Sequence, residues 1–303
     1  MLPLLREAPV FERKGDQAEG LRRMLGLERV RTIALFGARG RAGTTTCIMN
    51  LAAALGQAGR SVLVVDEHYG PDNISGMLGL SARGDLKQVL AGDRSLREVL
   101  EHGPQGVLIL PAANGARMLG RLPTLQRERA AAGFRALDDL CDLVLIDALA
   151  PTPLQGAVFG GAAQETVIVL EPDVTAITQA YALIKQLRQR HGITYFRMLV
   201  NRSTEERTAW RAFDNLAQAA RGFLDAGVEY VGTVPMDGSF ADAVRQFSPL
   251  ADVRPASPAA RSFQRLARTM LQWPARHHGA DTPDQLFHRV IQTSRRRAAG
   301  AGA

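Results

Sequence analysis

Residues 32–51 read TIALFGARGRAGTTTCIMNL, which is a short apolar run, a glycine-rich segment and the beginning of a second apolar stretch. The run from Thr32 to Phe36 predicts a buried strand, and the stretch from Thr45 to Ala58 predicts a helix. Glycines in such a loop let backbone N–H groups approach a phosphate, which the positive end of the helix dipole also attracts. The segment from Gly37 to Thr46 therefore predicts a phosphate-binding loop, with an ordinary strand-to-helix turn as the alternative.

This loop departs from the Walker A pattern G-x-x-x-x-G-K-[ST] at two positions. Ala38 stands at the first glycine and Thr44 at the lysine, whereas Gly43 and Thr45 agree with the pattern. The lysine of the pattern extends along the β- and γ-phosphates and neutralises charge that develops during phosphoryl transfer. Because threonine carries no charge, the loop predicts weak hydrolysis or none.

Similar apolar runs recur between amphipathic stretches as far as about Gly232. Their near-continuous apolar character is typical of parallel strands covered on both faces, and the intervening stretches, such as Ala176 to Arg190, are long enough for right-handed crossovers. We predict an α/β fold with a doubly wound, mostly parallel sheet over residues 30–273, an N-terminal extension over 1–29, and a linker with a basic C-terminal helix or tail over 274–303. The predicted strands are Thr32 to Phe36, Ser61 to Val65, Val107 to Leu110, Leu143 to Ile146, Thr166 to Leu170, Phe196 to Val200 and Tyr230 to Thr233.

The composition of the chain limits where the protein is expected to be located and what it is expected to bind. The net charge of +7 comes mostly from arginine and is spread along the chain, which favours a solvated basic surface over a dedicated DNA or membrane patch. No apolar run approaches the roughly 20 residues that cross a bilayer, so we expect a cytoplasmic protein. Cys47 and Cys141 lack the spacing of metal ligands and are expected to be buried thiols outside any disulfide.

The loop, Asn50 to Leu55 and Ser61 to Asp66 together resemble the MinD/ParA family of P-loop proteins. The resemblance continues through Asp147 at a strand end, Glu171 to Lys185, Leu199 to Arg202 and Val234 to Asp237. It implies a site for ATP or ADP with Mg²⁺, although weak or absent binding stays open. The residues implied at the nucleotide are Arg39, Gly40, Arg41, Ala42, Gly43, Thr44, Thr45 and Thr46 at the phosphates and Asn201 at the adenine, and those implied at Mg²⁺ are Thr45, Asp66 and Asp147.

Each of these assignments has a structural alternative, and one segment departs from the family. Asp147 and Asn201 are also typical of turns, and Thr45 of a helix start. After the second strand the family has Asp-x-Asp, whose second aspartate orients the attacking water. This chain has His68 at the position of that second aspartate. A neutral imidazole replaces neither the charge nor the geometry of a carboxylate. Whether the protein is an enzyme is left open, and no catalytic residue is assigned.

The N-terminal extension contains Asp16-Gln17-Ala18-Glu19-Gly20-Leu21-Arg22. This segment resembles the Asp-Gln-Ala-x-x-Leu-Arg element of the FlhG group (FleN, YlxH), MinD-like proteins that control flagellar number and placement. The resemblance implies a helix that binds the GTPase FlhF and stimulates its hydrolysis, with Gln17 reaching toward the catalytic water. The alternative is a loosely attached amphipathic helix. The residues implied in partner binding are Asp16, Gln17, Ala18, Leu21 and Arg22.

Near the other end, residues 283–297 predict a helix with four apolar residues on one face and arginines beyond it. Such a helix fits peripheral contact with an anionic membrane, at the inner face of the cell membrane. Because the apolar face is short, a solvated tail or a helix docked on the domain fits equally well. The four apolar residues are Leu286, Phe287, Val290 and Ile291.

The preferred interpretation is an FlhG-like regulator with a degenerate, weakly or non-hydrolysing ATP site. The first alternative is an active MinD-like ATPase switch that forms a homodimer with ATP, using Arg39 or Arg41 for the missing charge. The second is a ParA-like partition protein or DNA-bound regulator, which the N-terminal element disfavours. The sequence leaves open whether a flagellar transcription activator is a further partner.

Overall fold

The computed structural model describes residues 30–70, 73–81, 83–119, 122–135, 137, 140–151, 159–274 and 285–292. Residues 16–22, which carry the predicted partner-binding element, lie outside this set. No helix among the described residues is long and apolar enough to cross a bilayer.

The centre of the molecule is one eight-stranded sheet in the order β3-β4-β2-β5-β1-β6-β7-β8. All neighbouring strands are parallel except β3 and β4, so the predicted doubly wound α/β fold is confirmed. The strands are β1 (Arg31–Gly37), β2 (Val62–Asp66), β3 (Glu101–His102), β4 (Leu108–Pro111), β5 (Leu143–Ala148), β6 (Glu165–Leu170), β7 (Tyr195–Ser203) and β8 (Gly227–Pro235).

Helices cover both faces of the sheet. The long ones follow the amphipathic stretches of the sequence, and several short ones lie between β2 and β4 and after β8. They are α1 (Thr44–Gln57), α2 (Ile74–Met77), α3 (Leu86–Ala91), α4 (Leu96–Val99), α5 (Ala113–Ala116), α6 (Thr124–Arg135), α7 (Val174–His191), α8 (Glu206–Leu224), α9 (Phe240–Arg245), α10 (Leu250–Val253), α11 (Pro258–Gln272) and α12 (residues 285–292).

The sheet separates two hydrophobic clusters. On one face, α1 packs Ile48 and Leu51 against β1 and β5, and α11, which carries Phe263, packs against α1 and β8. On the other face, α7 and α8 pack against the sheet, and α6 and α12 add buried side chains to the same cluster, in which Phe36 and Phe134 are fully buried. Alternating side chains of a strand point to opposite faces, which explains why the central strands are apolar along their whole length.

Helix α7 shows how local sequence sets the bounds of an element. Asp173 precedes the helix, and its side chain accepts a hydrogen bond of 2.8 Å from the Ala176 N–H. Gly192 follows the helix at a φ of 70°, which is the left-handed conformation that glycine adopts readily. The predicted helix from Ala176 to Arg190 lies inside these bounds.

Helix α12 is docked on the domain, which is one of the arrangements that its sequence left open beside contact with a membrane. Leu286, Phe287, Val290 and Ile291 are all buried. The ring of Phe287 stacks on Phe134 with centroids 4.3 Å apart. Since an apolar face that is buried in the core cannot also lie in a bilayer, the docked alternative describes this helix.

Strand β7 carries a charged residue near its start, Arg197, whose burial the sequence pattern does not predict. Arg197 is fully buried, forms an ion pair with Glu165 of β6, and lies 3.3 Å from Glu229 of β8. Its guanidinium lies over the ring of Trp273 at 4.0 Å from the centroid. The contacts of Arg197 therefore join three adjacent strands to the residue that follows α11.

Candidate functional site: the loop between β1 and α1

The glycine-rich loop lies at the carboxyl end of β1, near the middle of the sheet. Gly43 precedes α1 at a φ of 79° and offers no side chain to cap the helix. The first N–H groups of a helix have no partner within the helix, so those at the start of α1 are placed for an anion. This backbone geometry fits a bound phosphate.

The loop is packed so closely that two of its glycines are required. A Cβ atom on Gly43 would lie 2.4 Å from the Nδ2 atom of Asn201, and one on Gly37 would lie 2.7 Å from the Oγ1 atom of Thr44. Thr44 is buried, with its hydroxyl against the first residue of the loop. A short neutral side chain therefore occupies the position where the family pattern has a lysine.

Two arginines at the loop are engaged in ion pairs. Arg39 pairs with Glu171 and lies 3.1 Å from Asp173. Arg202 pairs with the other oxygen of Glu171 at 2.6 Å and donates to the carbonyl of Arg41 at 3.2 Å. The charge nearest the loop is thus balanced by acidic residues that follow β6.

Asn201, at the end of β7, is buried against the loop. Its Nδ2 atom donates a hydrogen bond of 2.9 Å to the Ala42 carbonyl, and its Oδ1 atom accepts one of 3.0 Å from the Arg202 N–H. The bond to Ala42 connects the end of β7 to the loop after β1. The role of Asn201 in reading adenine stays a prediction.

Beside the loop, the adjacent strands β2 and β5 bring two carboxylates together. Asp66 and Asp147 are register partners in these strands. The Nδ1 atom of His68 lies 3.3 Å from Asp147 Oδ2 and 3.6 Å from Asp66 Oδ1. One ligand atom from each of the three residues lies within 4.8 Å of the others. The residue that departs from the family pattern therefore faces both predicted magnesium ligands.

The two carboxylates differ in their hydrogen bonds. Asp66 accepts from the backbone N–H groups of His68 at 2.9 Å and Ile74 at 2.8 Å. Asp147 is fully buried, and no hydrogen bond of good geometry reaches its side-chain oxygens within the described part of the chain, although His68 and Thr45 are its polar neighbours. A buried carboxylate without donors is unfavourable unless a cation compensates it.

The pKa values of this cluster follow from burial and from the opposing charges. Burial raises the pKa of Asp147, and His68 only partly opposes that shift. For His68, burial lowers the pKa, but Asp147 and Asp66 together outweigh it and raise the pKa to about 10. In the absence of a metal ion, the His68 imidazole is therefore protonated over the physiological range and faces the carboxylate of Asp147.

Glu67, which the sequence did not single out, is a further buried acid of the site. Its carboxylate accepts hydrogen bonds from the backbone N–H groups of Leu149 at 3.0 Å and Phe159 at 2.7 Å. Burial raises the pKa of Glu67 to about 7, although both hydrogen bonds oppose that shift. The sequence could have indicated this buried acid, because Glu67 lies between Asp66 and His68 directly after a buried strand, where a charged side chain needs hydrogen-bond partners.

The predicted nucleotide and magnesium sites fit this geometry to different degrees. The loop backbone fits a phosphate, whereas the side chain at Thr44 supplies no positive charge. Thr45 lies at the first turn of α1, and its hydroxyl is among the groups that lower the pKa of Asp147. The donor set of Asp66, His68 and Asp147 includes an imidazole nitrogen, whereas Mg²⁺ prefers oxygen ligands. The set therefore does not fit a nucleotide-bound Mg²⁺ well.

Comparisons with known proteins agree with the fold and with the resemblance. The sequence model of the family described as "Cellulose biosynthesis protein BcsQ" matches residues 30–271. The chain is 35% identical over 272 residues to "Antiactivator FleN" of Pseudomonas aeruginosa, which covers 90% of this chain and 97% of that protein. It is 23% identical over 245 residues to "Flagellum site-determining protein YlxH" of Helicobacter pylori, covering 78% and 80% of the two chains.

Solved structures show the same architecture. MinD in the MinC:MinD complex of Aquifex aeolicus superposes with a TM-score of 0.63 at 23% identity, covering 83% of this chain and 99% of that chain. MinD of Pyrococcus horikoshii, solved with Mg-ADP, gives a TM-score of 0.61 at 24% identity, covering 80% and 96%. At this level of identity the likeness concerns the fold. On the match of its whole sheet-bearing domain, the chain belongs to the family of the BcsQ sequence model, within the MinD/ParA group of P-loop proteins.

Proposed function

We propose that the chain is an FlhG-like regulator of flagellar number and placement, whose P-loop domain serves as a docking platform. The similarity to FleN and YlxH supports a flagellar role. The Asp-Gln-Ala-x-x-Leu-Arg element at Asp16 to Arg22 supports an FlhF-type GTPase as the partner. In this proposal Gln17 orients the catalytic water of the partner, as amides do in other GTPases.

The observation that carries the non-hydrolytic part of the proposal is the pair Thr44 and His68. Phosphoryl transfer depends on cations at the phosphates and on a group that orients the attacking nucleophile. At the first of these positions the chain has the buried, neutral Thr44. At the second position, His68 faces Asp66 and Asp147 and offers an imidazole in place of a carboxylate. The domain has kept the fold of an ATPase without two of its charged groups.

Stimulation of the GTPase tests the flagellar part of the proposal. GTP turnover by an FlhF-type GTPase is measured with and without the full chain. We expect the wild type to raise turnover at least tenfold and Gln17→Ala to abolish the increase. Gln57→Ala, at the exposed end of α1, is the matched control and should stimulate like the wild type. Equal stimulation by the Gln17 and Gln57 variants would contradict the proposed role of Gln17.

A separate measurement tests the nucleotide site. Titration calorimetry with ATP and with ADP, each with Mg²⁺, is carried out on the wild type and on Thr44→Lys, together with steady-state ATP hydrolysis. We expect weak binding without turnover in the wild type, and tighter binding in Thr44→Lys because a lysine restores the charge at the phosphates. ATP turnover at rates typical of intact family members, lost in Thr45→Ala, would instead establish an ATPase.

The active-switch alternative rests on the arginines of the loop. Arg39 and the exposed Arg41 are cations within the segment that would surround the phosphates. The alternative requires Arg39 to leave Glu171 and Asp173 when ATP binds, and it predicts a homodimer. Sedimentation velocity with and without ATP separates the two proposals, because the docking platform keeps the same sedimentation coefficient in both conditions.

Location and further partners follow from the same proposal. In this proposal the chain acts in the cytoplasm and reaches the inner face of the membrane through its flagellar partner, since the buried apolar face of α12 is not available to lipid. A flagellar transcription activator is a second protein partner, suggested by the name "Antiactivator FleN" of the similar protein. Co-sedimentation of the full chain with anionic vesicles, in the absence of the GTPase, would contradict this route to the membrane.

A further inference from the structure

We propose that Asp66, His68 and Asp147 form a binding site for one divalent transition-metal ion of the zinc, cobalt or manganese class. The ion would be held by one imidazole nitrogen and two carboxylates. This inference is independent of the proposed flagellar function, and it requires no nucleotide. It assigns to His68 the role of a metal ligand at the position where the sequence departs from its family.

The distances within the cluster fit such an ion. Bonds of about 2.1 Å at tetrahedral angles place ligand atoms roughly 3.4 Å apart. The Nδ1 atom of His68 lies 3.3 Å from Asp147 Oδ2 and 3.6 Å from Asp66 Oδ1. All three ligand atoms fall within 4.8 Å of one another. Three protein ligands in this arrangement leave at least one coordination position for water.

The buried carboxylate of Asp147 is the second, independent observation. It is fully buried, and neither of its oxygens makes a hydrogen bond of good geometry among the residues that the structure describes, although His68 Nδ1 lies 3.3 Å from its Oδ2 atom. The Nδ1 atom of His68, which faces this carboxylate, is also buried and makes no hydrogen bond of good geometry with that part of the chain. Buried polar atoms that converge without hydrogen bonds call for an explanation, and a bound cation supplies one.

The surroundings hold the ligands in place and leave a route for entry. Backbone N–H groups of His68 and Ile74 orient Asp66, as outer hydrogen bonds do at metal sites. Asp66 and Asp147 stand on adjacent strands in the middle of the sheet, so their separation is fixed by the backbone register. The side chain of His68 is 30% exposed, which connects the cluster to solvent.

The chemistry of the ligands selects the class of metal. Imidazole binds zinc, copper, iron and nickel, whereas magnesium and calcium take oxygen ligands. Two carboxylates and one histidine with an open position are typical of borderline divalent ions. The competing arrangement is a metal-free ion pair between a protonated His68 and the two carboxylates, and the experiment must separate it from the metal site.

Cobalt titration of the full chain makes this distinction. The protein is stripped with a chelator and dialysed, and Co²⁺ is added in a buffer without nucleotide while visible absorption and bound metal are measured. We expect one Co²⁺ per chain, with the absorption bands of a four- or five-coordinate site, and loss of these bands when Zn²⁺ is added. A spectrum no different from that of aqueous Co²⁺ would overturn the proposal.

Variants of the histidine give the test its specificity. His68→Gln should weaken Co²⁺ binding at least tenfold, whereas His102→Gln, at an exposed position on β3, should leave it unchanged. His68→Asp replaces nitrogen by oxygen and should shift the preference from Co²⁺ toward Mg²⁺. Circular dichroism confirms that each variant is folded. Equal Co²⁺ binding by the wild type and the folded His68→Gln would also overturn the proposal.

Discussion

Gly43 is the position where one atom decides the geometry of the loop. Its φ of 79° and the distance of 2.4 Å that would separate a Cβ atom from Asn201 Nδ2 both exclude a side chain. We predict that Gly43→Ala lowers the free energy of unfolding by about 1–3 kcal/mol, because it adds backbone strain and displaces the amide of Asn201. Urea denaturation measures the change.

Gly40 is the matched control for this substitution. No atom lies within 4 Å of a Cβ placed on Gly40. Gly40→Ala should therefore change the free energy of unfolding by no more than about 0.5 kcal/mol. If the two variants were equally stable, the close packing of Asn201 on the loop would be refuted.

Glu67 makes stability depend on pH in a defined direction. Its pKa is raised from 4.5 to about 7 in the folded state, so between these values the folded protein binds more protons than the unfolded protein. The contribution of Glu67 to stability is therefore complete below about pH 4.5 and is lost as the pH rises toward 7. Replacing the carboxyl by an amide removes this titration.

The difference in unfolding free energy between Glu67→Gln and the wild type isolates this effect. We predict that the difference shifts in favour of the variant by on the order of 2–3 kcal/mol between pH 4.5 and pH 7.5. Glu128→Gln, at an exposed position on α6, should show no such shift. Chemical denaturation at several pH values measures both differences. If the two variants showed the same dependence of unfolding free energy on pH, burial would not be raising the pKa of Glu67.

At the scale of single residues, the sequence predicts what a short motif contains and misses what distant segments bring together. Thr44 and Asp147 stand out from their positions in local patterns. The bond from Asn201 to Ala42 joins residues 159 apart in the chain, and Glu67 bonds to Leu149 and Phe159 across a separate strand. These contacts depend on the order of strands in the sheet, which local patterns do not contain.

At the scale of elements, continuous apolar runs predicted the central strands well, since burial on both faces leaves little choice of residue. The prediction was least complete at the two edges of the sheet. Strand β8 extends over Gly227–Pro235, beyond the predicted Tyr230 to Thr233, because Gly227, Glu229 and Pro235 interrupt the apolar run at its ends. Strand β3, which pairs antiparallel with β4, has only two residues and is too short to show a periodic pattern in the sequence.

Helix α12 offers the clearest test at this scale. Phe287 is fully buried and stacks on Phe134, so Phe287→Ala removes a large part of the contact between this helix and the domain. We predict a loss of about 3–5 kcal/mol in the free energy of unfolding. Gln292→Ala, on the exposed side of the same helix, should be nearly neutral.

The same variants separate a docked helix from a membrane helix. If α12 left the domain to bind lipid, Phe287→Ala would have little effect on stability in solution and would instead reduce binding to anionic vesicles. Denaturation and vesicle co-sedimentation of both variants therefore give opposite results for the two arrangements.

At the scale of the whole molecule, the sheet keeps the two cysteines in different environments. Cys47 belongs to the cluster on the α1 face and Cys141 to the cluster on the opposite face. Both are buried, and burial raises the pKa of Cys47 to about 12. Since the thiolate is the reactive form, neither thiol is expected to react while the protein is folded.

Reaction with a chromogenic disulfide reagent measures this protection. We predict that the native protein at pH 8 reacts at neither cysteine within the time in which the urea-unfolded protein reacts at both. Identification of the modified peptide by mass spectrometry shows which thiol reacts first. Rapid modification of Cys141 alone in the native protein would mean that one face of the sheet opens without the other.

The burial of Asp147 has a consequence for the balance between stability and function. Desolvation raises the pKa of Asp147, and the imidazole of His68, whose own pKa is raised to about 10, supplies the opposing charge at 3.3 Å. We expect Asp147→Asn to make the metal-free protein less stable at neutral pH, because it removes one partner of a buried charge pair and leaves a protonated imidazole behind. The acid and the histidine are therefore interdependent, so a change at either position is expected to alter the fitness of the other.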